Sequence, residues 1–163
     1  MGKVPNMMKA MAHSPALLEG YLNFSGALAK GVLAAPLREQ IALLVSQANG
    51  CEYCLSAHSL LAARGGLTRE EITGAREGIS AEAKSQAALS LAQGILDDRG
   101  DASDEQLADA REAGLSDAEI AEVVGHVALS TLTNYFNQLA HTEVDFPRVP
   151  VDGLVVSNER TVR

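Results

Sequence analysis

The chain contains two cysteines, Cys51 and Cys54, separated by two residues in Cys51-Glu52-Tyr53-Cys54, with His58 close behind. On a helix, positions three and seven residues after a given one return to nearly the same face. A helix beginning at Cys51 would therefore align Cys51, Cys54 and His58. His58, one turn beyond Cys54, is then within reach to accept the thiol proton or, when charged, to hold the thiolate. Unsatisfied backbone N–H groups and the dipole at the helix start favour negative charge on either sulfur. A thiolate so placed can attack a peroxide O–O bond to give a sulfenic acid, which the second cysteine condenses into a disulfide. Glu39 enters by position. Its helix must fold back on the cysteine-bearing one after the Asn49-Gly50 turn, which can bring a carboxylate beside His58 for a carboxylate, imidazole and thiol relay; on position alone, an early-turn acid favoured by the helix dipole is an equal reading.

Composition narrows the chemistry. A secreted disulfide scaffold would carry more cysteines at wider spacings, whereas a lone C-x-x-C in a reducing compartment signals redox or metal chemistry. A closed zinc site wants four ligands, and the sequence supplies no second C-x-x-C and no close histidine pair. No metal and no bound organic cofactor are expected. A net charge of -8 without any Lys/Arg cluster argues against nucleic acid. No apolar run approaches the ~18–20 residues of a spanning helix, and Met1-Gly2-Lys3-Val4-Pro5 lacks a secretion signal's apolar stretch, so the expectation is a cytoplasmic protein with no membrane partner.

The elements that must position these side chains are helices. Ala and Leu dominate a 47% hydrophobic composition, and 163 residues match one domain, 1–163. Ser14-Pro15 caps a helix carrying Leu17, Tyr21, Phe24 and Leu28 as far as Gly31. Pro36 opens a second, with Leu37, Ile41, Leu44, Val45 and Ala48 as one apolar stripe ending at Asn49-Gly50. The third runs from Cys51 to Gly65-Gly66, a pair suited to a left-handed cap, and Thr68 with Glu71 forms a capping box for a fourth, ending near Gly78. Ser80 is expected to cap a fifth helix through Leu96, broken by the turn Asp97–Asp101. Ser103 with Gln106 and Ser116 with Glu119 head two more, the last running from about Asp117 to Leu139. Ala63–Ile72 faintly echoes Ala110–Ile120, as shared helix-turn-helix grammar or an ancestral duplication. Pro147 and Pro150 end regular structure and leave an extended tail through Arg163, free to lie over a neighbouring subunit or to stay mobile. His126 and His141 read as structural or interface residues, and His13 as a surface residue.

Arg38-Glu39, then Cys51-Glu52-Tyr53-Cys54, then His58, resembles the AhpD-like alkylhydroperoxidase branch of the carboxymuconolactone decarboxylase family. The opening Val4-Pro5-Asn6-Met7 with His13–Leu18 and the closing Asn134-Tyr135-Phe136-Asn137 with Thr142–Pro147 resemble its peroxidase-related subgroup, so nearly the whole chain is covered. The resemblance implies an all-α, AhpD-like fold of about seven helices and a homo-oligomer, whether dimer, trimer or hexamer. It also implies reduction of a small peroxide with electrons from an external dithiol such as a lipoyl group. It gives Cys54 the peroxide-attacking role, Cys51 the resolving role, and Glu39 and His58 the relay. AhpD itself has histidine immediately before the second cysteine, where this chain has Tyr53, read here first as packing around the motif and second as a hydrogen-bond donor.

The expected function is thus a thiol-dependent peroxidase. Its rivals are carboxymuconolactone decarboxylation, which needs no dithiol, and a non-catalytic redox sensor or assembly module that uses the disulfide as a switch.

Overall fold

The computed structural model describes residues 4–151, and among them every regular element is α-helical. The helices are α1 (Asn6–Met11), α2 (Pro15–Leu28), α3 (Ala35–Ala48), α4 (Glu52–Arg64), α5 (Arg69–Arg76), α6 (Ala83–Asp97), α7 (Asp104–Glu112) and α8 (Asp117–Leu139). The fold is AhpD-like, as expected, with one helix more than the seven read from the sequence. The extra one is α1. It spans under two turns, too few for a periodic pattern, and its N-cap Pro5 offers no side-chain bond. Tertiary contacts hold it instead: Met7 and Met11 are buried, and the amides of Asn6 and Met7 are bound by the Asp145 carboxylate and the Tyr53 hydroxyl.

The hydrophobic centre is α3. The sequence suggested one apolar stripe, but Gln40, Ala42, Leu43, Ser46 and Gln47 are buried along with Leu37, Ile41, Leu44 and Val45. The helix has neighbours on all sides, packing against α4, α5, α6 and α8, so its polar positions are interior too. Leu44 and Val45 join Leu89, Leu91, Val123 and Val127 in one cluster, while Leu43 joins Leu55, Ala62 and Ala75 in another. In contrast, α2 buries no residue fully. Leu17, Leu18 and Tyr21 cover the cysteine segment, and Phe24, expected inside, is exposed.

The local stop and start signals form as the sequence dictates. Gly66 takes φ +97°, and the Leu67 amide reaches back to the Ala62 carbonyl, closing α4 before the Thr68–Glu71 capping box opens α5. The same device recurs at Gly114 and Ser116, so both copies of the faint repeat fold as helix, glycine, capping box, helix. Ser80 is a correction. The cap of α6 is Glu82, whose carboxylate takes the amides of both Lys84 and Ser85, and a charged acceptor holding two orphan donors outcompetes a hydroxyl two residues earlier.

After α8 the chain returns along α4. Val149 N–H bonds Ser56 Oγ, Arg148 pairs with Glu52, and Phe146 packs edge-on against Tyr53. The rest of the expected tail, from 152 on, lies outside the described residues. Among the described residues no helix is long and apolar enough to cross a membrane.

Candidate active site

Cys51 is not the first residue of α4 but its N-cap, with φ −89° and ψ 93°. Gly50, in the left-handed region at φ +68°, turns the chain sharply out of α3, and the Cys51 amide closes that turn on the Ser46 carbonyl. The Cys51 sulfur then accepts the Cys54 amide at 3.3 Å, the bond a serine N-cap would make with its hydroxyl. Cys54 therefore sits in the first turn of α4, where the backbone field favours an anion. Both cysteines are free thiols, and both are buried, Cys51 to 1% exposure and Cys54 to 3%.

Glu39, Cys54 and His58 converge as the turn between α3 and α4 requires. His58 Nδ1 meets Glu39 Oε2 at 2.8 Å, with each side chain 26% exposed. Burial works against a charged imidazole. The hydrogen bond and charge of Glu39, with a smaller contribution from Cys54, prevail and raise the His58 pKa above its ordinary value.

The two thiols are pushed apart. The strongest influence on Cys54 is a hydrogen bond from Cys51, which lowers its pKa against the opposing effect of burial; the Asn137 and Asn134 amides and the His58 charge lower it further. Cys51 moves the other way, held protonated first by that same bond to Cys54 and then by burial. Asn137 Nδ2 stands 3.3 Å from the Cys54 sulfur, and Asn134 is fixed between Ser46 and Asn49. These groups add to the His58 and helix-start effects expected from sequence. His58 shares the site and favours the thiolate, but Cys51 and the α8 amides stabilise it more than the imidazole does.

Tyr53 does more than pack. Its hydroxyl accepts the Met7 amide at 3.1 Å and donates to Asp145 at 2.9 Å, and its pKa is raised, chiefly by burial. The proton is thus committed to Asp145, and Tyr53 ties α1 and the returning chain to the cysteine turn. Tyr53→Phe leaves the buried Met7 N–H unpaired, an expected loss of about 1–3 kcal/mol. At this chain length that lowers Tm by about 2–4 °C per kcal/mol. Thermal unfolding of the reduced variant checks it, and an unchanged Tm would show the tie to be dispensable.

Two cavities meet at the site. One, of about 120 Å³, lies over Cys54 and is walled by Met7, Met8, Tyr53, Ala57, Leu61 and Phe146. The other, of about 220 Å³, is more evenly mixed and contains Arg38, Glu39 and His126. Tyr21, His58 and Thr133 line both. An open cleft that shares Tyr53 and Asn137 with the first cavity runs past the Cys51 turn beside Gln138, His141 and Arg148. Among the described residues no group of three or more His, Cys, Asp or Glu could hold a metal ion.

The residues sequence reasoning missed lie mainly on α8. Ser130, Thr133, Asn134 and Asn137 are polar yet buried on one face of a long helix, and that polar stripe within an apolar periodicity was the available signal.

The family model for the carboxymuconolactone decarboxylase family matches residues 15–94, which include Glu39, both cysteines and His58. No curated protein matches the chain. Among solved structures, an uncharacterized peroxidase-related protein from Silicibacter sp. TM1040 superposes with a TM-score of 0.80 at 22% identity, covering 88% of this chain and 78% of that one. An AhpD-core, peroxidase-related protein from Ralstonia eutropha JMP134 gives 0.79 at 23% identity, covering 91% and 84%. A cysteine-to-alanine variant of the debrominase Bmp8, in complex with 2,3,4-tribromopyrrole, gives 0.77 at 22% identity, covering 88% and 79%. At these identities the likeness is one of fold.

Proposed function

The chain belongs to the AhpD-like carboxymuconolactone decarboxylase family, and from that premise we propose that it is a thiol-dependent peroxidase working through a Cys51/Cys54 dithiol and disulfide cycle. One observation carries the proposal: the Cys54 sulfur, biased toward thiolate by Cys51 and Asn137, lines a small, mostly apolar cavity that it shares with His58. Such a cavity suits the carbon end of a small organic hydroperoxide while excluding bulk water from the nucleophile.

In the first step the Cys54 thiolate attacks the terminal oxygen of RO–OH, forming Cys54–S–OH and releasing RO⁻. His58, kept protonated by Glu39, delivers the proton that makes ROH. The Asn137 carbonyl oxygen is buried without a partner beside the sulfur and is placed to accept the hydroperoxide O–H. In the second step Cys51 loses the thiolate partner that held it protonated. Its sulfur attacks the sulfenic sulfur, and the disulfide forms as water leaves with the Cys51 proton. An external dithiol, of lipoyl or similar type, then returns the pair to the reduced state. The open cleft beside the Cys51 turn, lined by Gln138, His141 and Arg148 where the peroxide cavity is not, supports its approach. A cytoplasmic, reducing location and homo-oligomeric assembly belong to the same proposal. Leu132, Tyr135 and Leu139 on α8, with Leu22 and Phe24 on α2, are exposed apolar side chains that support assembly.

The test is a panel of hydroperoxides and dithiol reductants, with mass spectrometry of the cysteine pair at each stage. Peroxide is expected to be consumed for many turnovers while reductant lasts, with a Cys51–Cys54 disulfide accumulating when reductant is withheld. Consumption that stops at one equivalent per dithiol with reductant in excess would identify a sensor instead of an enzyme.

A further inference from the structure

The reaction draws only Glu39 and His58 from the larger, more polar cavity and leaves the rest of it without a role. That cavity lies between α2, α3, α4 and α8 and holds a group that nothing in the fold satisfies. His126 is 8% exposed, and its Nε2 has no hydrogen-bond partner. Buried polar atoms are nearly always paired, and an exception at the wall of a cavity points to a partner that arrives from outside.

The charges around His126 define that partner. Glu39 is committed to His58. Glu122, the other acid acting on His126, is held by the amides of Val32 and Leu33. Thr133 spends its hydroxyl proton on the Ser130 carbonyl. Arg38 uses one guanidinium nitrogen on the Leu28 carbonyl at 3.2 Å and, in no ion pair with either acid, faces the same cavity. Burial and the Arg38 charge both keep His126 neutral, and with its proton on the unpartnered Nε2 the ring presents one N–H donor to the cavity without adding charge. A guanidinium beside a neutral imidazole N–H is a carboxylate-binding pair.

We propose that the cavity between Arg38 and His126 is a carboxylate subsite, and that the substrate is a short hydroperoxide bearing a carboxylate at the end away from its O–O bond. Tyr21, His58 and Thr133 line both cavities, so one ligand can place its carboxylate against Arg38 and His126, its carbon chain past His58 and its peroxide oxygen at Cys54. The inference rests on the peroxidase reading for the identity of the reactive end, and only for that.

The experiment has two arms so that the two ideas can fail separately. In the first, reduced Cys54→Ser protein, which cannot turn over, is titrated with valerate and with its neutral amide, following the ¹⁵N signal of the His126 ring. Valerate is expected to shift that signal saturably and the amide to bind at least about tenfold more weakly, since the hydrogen bonds to a charged group are lost. No shift, or equal binding of the two, overturns the subsite whatever the enzyme does with peroxides. In the second arm, 5-hydroperoxypentanoate and pentyl hydroperoxide are compared as substrates. Wild type is expected to favour the acid by about tenfold, mainly in KM; His126→Leu should lose that preference while still turning over the neutral peroxide, and His126→Gln, which keeps an N–H donor, should recover part of it. Equal KM values for the two peroxides in wild type, or a preference untouched by His126→Leu, overturn the subsite. Inactivity of wild type toward both peroxides would overturn the peroxidase reading, and with it the hydroperoxide identity, and leave the subsite to be decided by the first arm.

Discussion

Cys54→Ser is expected to reduce peroxide consumption to the uncatalysed background at every reductant concentration. The serine hydroxyl keeps much of the thiol's volume and still offers an acceptor to Asn137 Nδ2, so the fold should survive with a change of at most about 1–2 kcal/mol. What disappears is the nucleophile, because a hydroxyl at this position does not ionise near neutrality and serine has no sulfenic state through which to pass oxygen. The measurement is peroxide loss with dithiol in excess, alongside circular dichroism to show the helices intact. Unchanged turnover in a folded Cys54→Ser protein would remove the mechanism, because Cys51 does not line the cavity that Cys54 shares with His58 and Asn137 and is not an equivalent nucleophile.

How much of this site could be read from the sequence follows from which interactions are local. The helices headed by Ser14, Thr68, Ser103 and Ser116 were legible because an N-cap or capping box is satisfied within four residues, and each forms as written. The pairing of Glu39 with His58 was legible for a similar reason. Only a tight Asn49-Gly50 turn separates their helices, which leaves little freedom in how they pack. Other features depend on contacts across long stretches of chain. Helix α1 exists because Asp145 and Tyr53 hold its first amides, Glu82 displaces Ser80 through charge, and the Asn137 amide reaches Cys54 from α8. His126 shows the same limit. A histidine on an apolar helix face reads as structural, and only the cavity beside it and the lack of a partner for Nε2 suggest another role. The electrostatics were the least legible, since spacing alone offered His58 and the helix start as the groups acting on Cys54, and the folded chain adds the Cys51 thiol and the Asn134 and Asn137 amides, with Cys51 the strongest influence.

That ordering gives the second large effect, in a comparison of two substitutions at Cys51. Neither Cys51→Ser nor Cys51→Ala can close the disulfide, so without reductant both are expected to consume one equivalent of peroxide and stop with Cys54 as a sulfenic acid, each further equivalent being taken up only as excess peroxide carries it to sulfinic and sulfonic acid. They differ in what they leave beside Cys54. Serine retains an O–H donor for the thiolate and an N-cap acceptor for the Cys54 amide, whereas alanine removes both. The wild-type Cys54 pKa is lowered, so the reactive thiolate is present above that depressed value and disappears as pH falls through it. In Cys51→Ala the midpoint of alkylation against pH should move up toward the ordinary thiol value of ~8.5, and at pH 7 each upward displacement of one pH unit cuts the thiolate fraction by up to about tenfold. In Cys51→Ser the midpoint should stay nearer that of wild type. Iodoacetamide labelling of Cys54 from pH 5 to 10 reads both. If Cys51→Ala keeps the wild-type midpoint, the thiolate is held by Asn137 and His58, and Cys51 acts only as the resolving thiol.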